Sequence, residues 1–174
     1  MSKFNIYFVV MAAAIILISC NTTGAATVGG NQQTNVFDPA KVSQAHYNAT
    51  REEVQQFIER LNQIIRTRNY NAWIETLSQE YIDEYSSQAT LQRISDEPLM
   101  RRQNITLRNM NDYFTRVFVP SRNPDRIQSN SVDIEFVTAN RVRAFITRIN
   151  NSGEENREIL YNLEKIDNVW KIIN

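Results

Sequence analysis

The chain has few of the residues on which most enzyme and metal sites depend. Its 174 residues include one cysteine, one histidine and four glycines. It contains no His-Glu-X-X-His pair for zinc, no Gly-X-Ser-X-Gly nucleophile turn and no glycine-rich phosphate loop. A single cysteine also excludes a disulfide within the chain. We therefore expect neither a metal nor an organic cofactor.

An excess of positive charge is lacking too. The whole chain balances 19 Lys and Arg against 19 Asp and Glu, and from Cys20 onward the count is 18 against 19, a formal charge of −1. Nucleic acid is therefore not an expected partner, since proteins that bind it carry a basic surface. The 155 residues from Cys20 onward suffice for one globular domain with its own core.

Long hydrophobic runs are scarce, and the clearest one lies at the start of the chain. Lys3 is followed by 15 mostly apolar residues, 4–18, and then by Ser19 and Cys20. A membrane-spanning helix needs about 20 apolar residues, so this run is short for a span. A basic start, an apolar core and a small residue before the cleavage point are typical of a signal peptide. We predict a signal peptide over residues 1–19.

The end of this segment, Leu17-Ile18-Ser19-Cys20, resembles the lipobox of bacterial lipoproteins in the loose form found in spirochaetes. The resemblance implies that the Cys20 thiol receives a diacylglycerol, that the signal peptide is removed, and that acylated Cys20 anchors the protein in the cell envelope. Whether it faces the periplasm or the cell surface is left open. The alternative is an ordinary secreted precursor in which the cysteine is incidental.

The stretch after Cys20 is compositionally simple. Residues 21–35 contain no charged residue and no apolar period. Such a composition is typical of a flexible linker. We therefore expect a flexible tether over residues 20–49, between the lipid and a globular domain at residues 50–174.

Helical signals dominate the first part of the predicted domain. Residues 50–53, Thr-Arg-Glu-Glu, form a capping box. A second helix is predicted over residues 71–77 with Asn71 as its N-cap, and a third over about residues 88–94, ending near Pro98. After the capping box, apolar residues recur at spacings of three and four, which places six of them on one helix face: Val54, Phe57, Ile58, Leu61, Ile64 and Ile65.

Beyond Arg102 the pattern changes to an alternation of apolar and polar residues, which is typical of strands. Asp167 and Asn168 tolerate the positive φ of a tight turn and are predicted to join the last two strands. Helices followed by a meander predict an α+β fold, with the helices packed on one face of an antiparallel sheet. The alternating segments are residues 105–107, 113–119, 132–136, 142–146, 159–163 and 169–173.

Three segments resemble the nuclear transport factor 2-like superfamily: residues 57–62, then residues 69–73 (Asn-Tyr-Asn-Ala-Trp), and the ending 161–172. They are similar to its opening helices and closing hairpin, so the resemblance covers roughly residues 50–174. It implies a curved antiparallel sheet that wraps a long helix into a cone. The superfamily includes ketosteroid isomerases, scytalone dehydratases, polyketide cyclases and binding domains without chemistry, so the fold does not choose a function.

Catalysis in such a cone would need acid and base groups that converge. The sole histidine, His46, precedes the first predicted helix, and we expect it at the surface. Isomerases of this superfamily pair an aspartate base with a tyrosine hydroxyl, and Tyr81, Asp83 and Tyr85 offer those residue types. On a helix, however, Tyr81 and Tyr85 share a face while Asp83 points away. We therefore expect no catalytic residues.

Binding is the expectation that remains. The segment 119–130 reads as a long polar connection with two prolines and two arginines. Arg122 and Arg126 could hold a carboxylate or phosphate through forked hydrogen bonds. Together with Tyr81 and Tyr85 they are the candidate binding residues. We expect a non-catalytic, membrane-anchored lipoprotein whose domain binds a protein partner or a small apolar ligand.

Two alternatives stay open. The first is an isomerase- or cyclase-like enzyme with its site in the cone, which requires a carboxylate beside a tyrosine hydroxyl in an open apolar cavity. The second is a structural module that forms a homodimer through its sheet. The carboxylates that the enzyme hypothesis would use are Asp83, Asp112, Asp133 and Glu135.

Overall fold

The structure is a computed structural model that describes residues 37–122, 129–149 and 153–174. These residues fall within the unit Val36–Asn174. The predicted signal peptide, Cys20 and Arg126 lie outside the described residues, as does the predicted tether up to residue 36. None of the helices described has the length and apolar character needed to cross a membrane.

The first helix, α1 (Gln44–Thr67), is 24 residues long and starts earlier than predicted. Its N-cap is Ser43, whose side chain accepts a hydrogen bond from the His46 N–H, so residues 44–49 are helical rather than part of a tether. Thr50 is buried inside the helix and does not begin it. The predicted apolar face is confirmed, because five of its six residues are buried and the sixth is half-buried: Val54, Phe57, Ile58, Leu61, Ile65 and Ile64.

Four short helices follow α1. They are α2 (Tyr70–Ile74), α3 (Gln79–Ser86), α4 (Gln88–Ser95) and α5 (Pro98–Arg102). The N-cap of α2 is Asn69 rather than the predicted Asn71, and its side chain accepts a hydrogen bond from the Ala72 N–H at 3.1 Å. The predicted third helix is confirmed as α4, which ends before Pro98 as expected.

The prediction of strands at residues 105–107 and 113–119 is wrong. Residues 105–107 lie in no strand, and the second segment belongs to a helical run: α6 (Met110–Tyr113), a π-helical turn (Phe114–Phe118) and α7 (Val119–Ser121). Asn109 starts the run by accepting a hydrogen bond from the Asp112 N–H at 2.9 Å. The buried residues fit the helical period: Met110, Tyr113, Phe114 and Phe118.

The sheet is a four-stranded antiparallel meander in the order β1-β2-β3-β4. The strands are β1 (Asp133–Phe136), β2 (Arg141–Ile149), β3 (Glu155–Ile166) and β4 (Val169–Ile173). Asp167 and Asn168 join β3 to β4 with φ of 49° and 63°, as predicted. The α+β class, the four strands predicted near residues 132–136, 142–146, 159–163 and 169–173, and the turn that joins the last two are therefore confirmed.

A β-bulge interrupts the pairing of β2 with β3. Ala144 faces Tyr161 while Phe145 faces Ile159, so Leu160 is the extra residue. Leu160 and Tyr161 are both buried, and Ile159 is 56% exposed. The sequence predicted Ile159, Tyr161 and Leu163 on one strand with regular alternation; the bulge turns Ile159 to the outside and keeps Tyr161 inside.

Helix α1 packs against the sheet through polar as well as apolar contacts. Gln55 Nε2 donates to the Val132 carbonyl at 2.8 Å. Near the other sheet edge, one oxygen of Glu53 accepts from Lys165 Nζ at 2.7 Å and from Trp170 Nε1 at 2.9 Å. These contacts join α1 to β3 and β4 and to the residue preceding β1. The aromatic residues of α2, α3 and α6 pack against the sheet in a separate region.

Candidate functional site

The most distinctive feature of the described chain is a cluster of aromatic side chains with one arginine beside them. We call it the tyrosine–arginine cluster. It is assembled from α2, α3, the helical run 110–121, the residue that follows this run, and β3. Its members are Trp73, Tyr81, Tyr85, Tyr113, Phe114, Phe118, Arg122 and Tyr161.

Trp73 lies at the centre of the cluster and is completely buried. Its ring stacks on Phe114 with centroids 4.7 Å apart and lies 5.0 Å from the ring of Phe118. Tyr81 meets it edge-on at 6.4 Å. Aromatic pairs in such geometries are each worth about 0.5–1.5 kcal/mol beyond the area they bury. Trp73 therefore holds the three helical segments together.

The tyrosines form a second layer of the cluster. The ring of Tyr85 lies 4.3 Å from that of Tyr81 and 4.6 Å from that of Tyr113. The hydroxyls of Tyr81 and Tyr113 are 3.1 Å apart, close enough for one to donate to the other. The predicted shared face of Tyr81 and Tyr85 is therefore present in the structure.

Arg122 directs its charge into this cluster rather than away from it. Its guanidinium carbon lies 4.8 Å from the ring centroid of Tyr161 and 5.6 Å from that of Phe118, within the range of cation–π attraction. Arg122 and Tyr85 are half-buried, so the cluster reaches the surface at these two members. The structure thus brings together three of the four predicted binding residues; the fourth, Arg126, lies outside the described residues.

Burial keeps the tyrosine hydroxyls protonated. It raises the pKa of Tyr81 far above its ordinary value and raises the pKa of Tyr113 and of Tyr161 to about 12. The positive charge of Arg122 acts in the opposite direction on all three but does not outweigh burial. At neutral pH these side chains are therefore neutral hydrogen-bond donors.

Three polar atoms in the cluster are buried without a hydrogen-bond partner: Trp73 Nε1, Arg122 Nε and Tyr161 Oη. They are the atoms in this state among the residues that the structure describes. Buried polar side-chain atoms are in most cases paired, and an unpaired one costs about 1–3 kcal/mol. The cluster therefore combines buried aromatic rings with three polar atoms that lack a partner.

The carboxylates of the enzyme hypothesis do not reach this cluster. Asp83 is exposed and accepts from Gln79 Nε2 at 2.7 Å. Glu135 lies on the outer face of the sheet, 3.6 Å from Arg143 and 3.3 Å from Arg157. Both carboxylates therefore lie at the surface and are already engaged in a hydrogen bond or in ion pairs.

The other two carboxylates, those of Asp112 and Asp133, are held by neighbouring backbone and side-chain groups. Asp112 accepts from the Arg108 N–H at 2.9 Å in the first turn of α6. Asp133 accepts from the Tyr47 hydroxyl and lies 3.4 Å from Arg51. Asp133 does have a tyrosine beside it, but its side chain is 44% exposed and is ion-paired with Arg51. It does not meet the condition of an open apolar cavity.

The histidine lies at the surface as predicted. His46 is exposed on α1, and its ring stacks on that of Phe136 at 5.4 Å.

Among the described residues no group of three His, Cys, Asp or Glu side chains is placed to hold a metal. A groove of about 230 Å³ lies between α1, α2 and the start of β4, with Phe57, Ile64 and Val169 among its lining residues.

The sequence did not identify Trp73, Tyr113 or Tyr161 as candidate site residues. The sequence places Trp73 in a predicted helix and Tyr113 and Tyr161 in predicted strands, and no motif singles these three residues out. One signal was available for Tyr113: Tyr113 and Phe114 follow Met110 by three and four positions, and Phe118 follows Phe114 by four, which is helical spacing. The positions that carry this spacing are Met110, Tyr113, Phe114 and Phe118.

Comparison with known proteins finds one informative similarity. The chain is 33% identical over 137 residues to a protein of Treponema pallidum (strain Nichols) described as an uncharacterised lipoprotein. The aligned region covers 79% of this chain and 67% of the relative. No protein-family model matches the chain, and no solved structure matches it.

Proposed function

Because this chain belongs to the same family as the Treponema pallidum lipoprotein, we propose that it is a lipid-anchored protein of the bacterial cell envelope whose domain binds a small, largely apolar ligand without catalysing a reaction. Cys20 is the proposed attachment point, since Leu17-Ile18-Ser19-Cys20 resembles a lipobox and the chain has no other cysteine. Two or more acyl chains give stable anchoring where a single one does not.

The observation that carries the binding proposal is the set of unpaired polar atoms in the tyrosine–arginine cluster. Ligand sites combine an apolar wall with a few directed polar groups, and the cluster has both. Its wall consists of aromatic rings, and its polar groups are Trp73 Nε1, Arg122 Nε and Tyr161 Oη. Access is proposed at the half-buried members Tyr85 and Arg122.

The arrangement of the carboxylates supports binding over catalysis. General acid–base chemistry needs a titratable group within hydrogen-bond reach of the substrate. Asp83 and Glu135 lie at the surface, and Asp112 and Asp133 are engaged by Arg108, Arg116 and Arg51. Neutral tyrosines and an arginine can orient a ligand, but none of them is a base at neutral pH.

We further propose that the fold is a nuclear transport factor 2-like cone. Two features support it: a long helix lies on a four-stranded antiparallel meander, and a bulge at Leu160 interrupts β3. A bulge bends a strand and increases its twist, which is what a sheet needs in order to curve around a helix. The tyrosine–arginine cluster would then occupy the interior of the cone.

The anchoring half of the proposal is tested by metabolic labelling of cells with a fatty-acid analogue. The wild-type chain should be labelled, and Cys20→Ser should abolish the label and keep the precursor uncut. Ser19→Ala is the matched control, since alanine is usual at that place in a lipobox, and it should retain the label. Label that persists in Cys20→Ser would refute lipidation at this residue.

The binding half is tested on the full chain extracted from membranes. Native mass spectrometry should show a non-covalently bound small molecule, and Arg122→Gln should reduce its occupancy. Arg116→Gln, which changes an exposed arginine of the same helical run, should leave the occupancy unchanged. An unliganded mass, together with no thermal stabilisation by any of a broad panel of apolar compounds, would contradict the proposal.

Dimerisation through the sheet is a second candidate that one observation favours. On the outer face of the sheet, Ile159 is 56% exposed and pairs with Phe145 across β2 and β3. Phe145 is already buried beneath the guanidinium of Arg157, so the apolar surface that a second copy could cover is that of Ile159. Analytical ultracentrifugation of the detergent-solubilised chain should then show a dimer that Ile159→Asp dissociates, whereas a monomer at high concentration would count against this role.

A further inference from the structure

The unpaired atoms of the tyrosine–arginine cluster share one chemical property: each can donate a hydrogen bond. Trp73 Nε1 and Arg122 Nε can only donate, and Tyr161 Oη can donate through its proton. A ligand that satisfied them would have to present acceptor atoms. Alkyl ammonium groups and other pure donors are therefore excluded as the group recognised.

The three donors are connected through shared ring contacts. The rings of Trp73 and Phe118 lie 5.0 Å apart, and the guanidinium of Arg122 lies 5.6 Å from the Phe118 centroid and 4.8 Å from the Tyr161 centroid. Phe118 is therefore adjacent to two of the donor-bearing side chains, and Arg122 is adjacent to the third. The three donor-bearing side chains are therefore linked by one continuous series of contacts within the cluster.

The charge of the cluster selects the kind of acceptor. No ion pair within the described part of the chain includes Arg122, whereas Arg51, Arg116, Arg141, Arg143, Arg148 and Arg157 each have one. The tyrosines around it stay neutral at physiological pH because burial raises their pKa values. A half-buried cation with neutral neighbours is best complemented by a single negative charge.

The shape of the two groups narrows the choice further. A guanidinium offers its Nε and one terminal N–H as a planar fork, which fits two oxygens of a carboxylate or of a phosphate. The single charge of Arg122 favours the carboxylate of these two groups. The Nε edge of Arg122 is the edge without a partner. The surrounding rings of Phe114 and Phe118 offer an apolar wall for the rest of the molecule.

We propose, on the basis that this cluster is the ligand site of the domain, that the ligand is a monocarboxylate with an apolar body. Its carboxylate accepts hydrogen bonds from Arg122, with Trp73 Nε1 and Tyr161 Oη as the further donors. Its aliphatic or aromatic body lies against the rings of the cluster. Binding involves no covalent step and no proton transfer.

The test uses the full, detergent-solubilised chain and a panel of carboxylates with matched analogues. The acids run from hexanoate to palmitate and from benzoate to 4-phenylbutyrate, and each is compared with its primary amide and its phosphonate. At least one acid should raise the melting temperature in a concentration-dependent way. Isothermal titration should then give a Kd at least about tenfold lower for that acid than for its amide or phosphonate.

Variants separate the polar donors from the fold. Arg122→Gln and Tyr161→Phe should each weaken binding of that acid at least about fivefold, with melting temperatures of the free chain close to wild type. Tyr161→Phe is informative because the hydroxyl it removes has no partner in the free domain. Arg116→Gln is the matched arginine control and should bind the acid like wild type.

The outcomes distinguish this inference from the proposed function. If the amide or phosphonate binds as tightly as the acid, or if Arg122→Gln binds the acid like wild type, the carboxylate inference is overturned while ligand binding stands. It is also overturned if the chain carries a co-purified ligand without a carboxyl group. If no member of the panel binds and no ligand co-purifies, both the inference and the proposed function fail.

Discussion

The two tryptophans of the chain show how differently two regions of this domain treat their buried polar groups. Trp170, on β4, donates its indole N–H to Glu53 of α1 at 2.9 Å, and the same carboxylate accepts from Lys165 at 2.7 Å. Trp73, on α2, is more deeply buried, yet its indole N–H has no partner. At the contact of α1 with β3 and β4, the buried indole N–H is thus paired within the protein.

The region around Trp73 is different in kind. Most of its rings are as buried as those of a core, but it contains donors that the described protein does not satisfy. A domain that needed only stability could replace such donors with apolar groups of the same shape at little cost. The difference teaches that the α1–sheet contact builds the fold, whereas the tyrosine–arginine cluster retains groups whose use we assign to a ligand.

The largest effect is expected from Trp73→Ala. Removal of a fully buried tryptophan leaves a cavity at the junction of three helical segments, and the free energy of unfolding should fall by about 3–5 kcal/mol. Urea unfolding followed by far-UV circular dichroism measures this. Val169→Ala, at a residue that is 48% exposed, is the control with little expected effect. A loss below about 1 kcal/mol for Trp73→Ala would show that the cluster is not part of the core.

Alkaline pH should weaken the tyrosine–arginine cluster selectively. The pKa of Tyr113 and of Tyr161 is about 12 in the folded domain against 10.0 ordinarily, so the unfolded chain loses these protons first. Their stabilisation is complete below pH 10 and is lost as the pH rises toward about 12, by roughly 2 kcal/mol for each tyrosine. Urea midpoints across this range measure the loss.

The control for this pH effect is Tyr161→Phe, in which the alkaline loss should be smaller than in wild type. Absorbance at the phenolate band gives a second readout, because the buried tyrosines should ionise only as the domain unfolds. Ionisation of every tyrosine near pH 10 with the fold intact would contradict the burial of Tyr81, Tyr113 and Tyr161.

A smaller effect is expected at the contact of α1 with the sheet. Hydrogen bonding from Lys165 lowers the pKa of Glu53, so its contribution is present above the ordinary carboxylate pKa and is lost as the pH falls through the lowered value. Because Glu53 is 46% exposed, solvent weakens the interaction, and Glu53→Ala should cost only about 1 kcal/mol at neutral pH. The variant should also be less acid-sensitive than wild type. Equal acid sensitivity would contradict this role of Glu53.

The smallest loss of stability is expected from Tyr161→Phe. This variant tests directly whether the tyrosine–arginine cluster contains a hydroxyl without a partner. The Tyr161 hydroxyl has no partner, so the free domain should lose no stability, and any change should be a gain because an unpaired buried group is removed. Tyr47→Phe is the matched variant: it removes a hydroxyl that donates to Asp133 and should cost about 1 kcal/mol. Thermal melts of the two variants measure this difference in stability. A larger loss for Tyr161→Phe than for Tyr47→Phe would show that the Tyr161 hydroxyl has a structural partner.

Parts of this protein that depend on neighbours in the chain could be predicted from the sequence. The apolar face of α1, the helix α4 before Pro98 and the turn at Asp167 and Asn168 all follow from local spacing or backbone preference, and all are present. The shared face of Tyr81 and Tyr85 is of the same kind. The lipobox interpretation of Cys20 is local too, and it needs no tertiary structure.

Prediction from sequence periodicity failed where a strand period and a helical period fit the same segment. Residues 113–119 alternate as a strand would, but Met110, Tyr113, Phe114 and Phe118 also follow the helical period, and the helix is the observed structure because it buries those four together. A similar limit applies to Leu160. An extra residue in β3 is visible only against its partner strand β2, and residues 155–159 before it are all exposed.

The tyrosine–arginine cluster was decided by the tertiary structure. Tyr81, Tyr113 and Tyr161 are separated by 32 and 48 positions, and no spacing rule connects positions so far apart. Arg122 looked like a residue of an exposed connection, yet the end of the helical run at Ser121 aims it at Tyr161. The sequence by itself determined the apolar face of α1, the helix α4 and the turn at Asp167 and Asn168, and it contains the lipobox on which the proposed attachment at Cys20 rests. Only packing decided which of two tryptophans would keep an unpaired donor, because a hydrogen-bond partner such as Glu53 comes from a distant element.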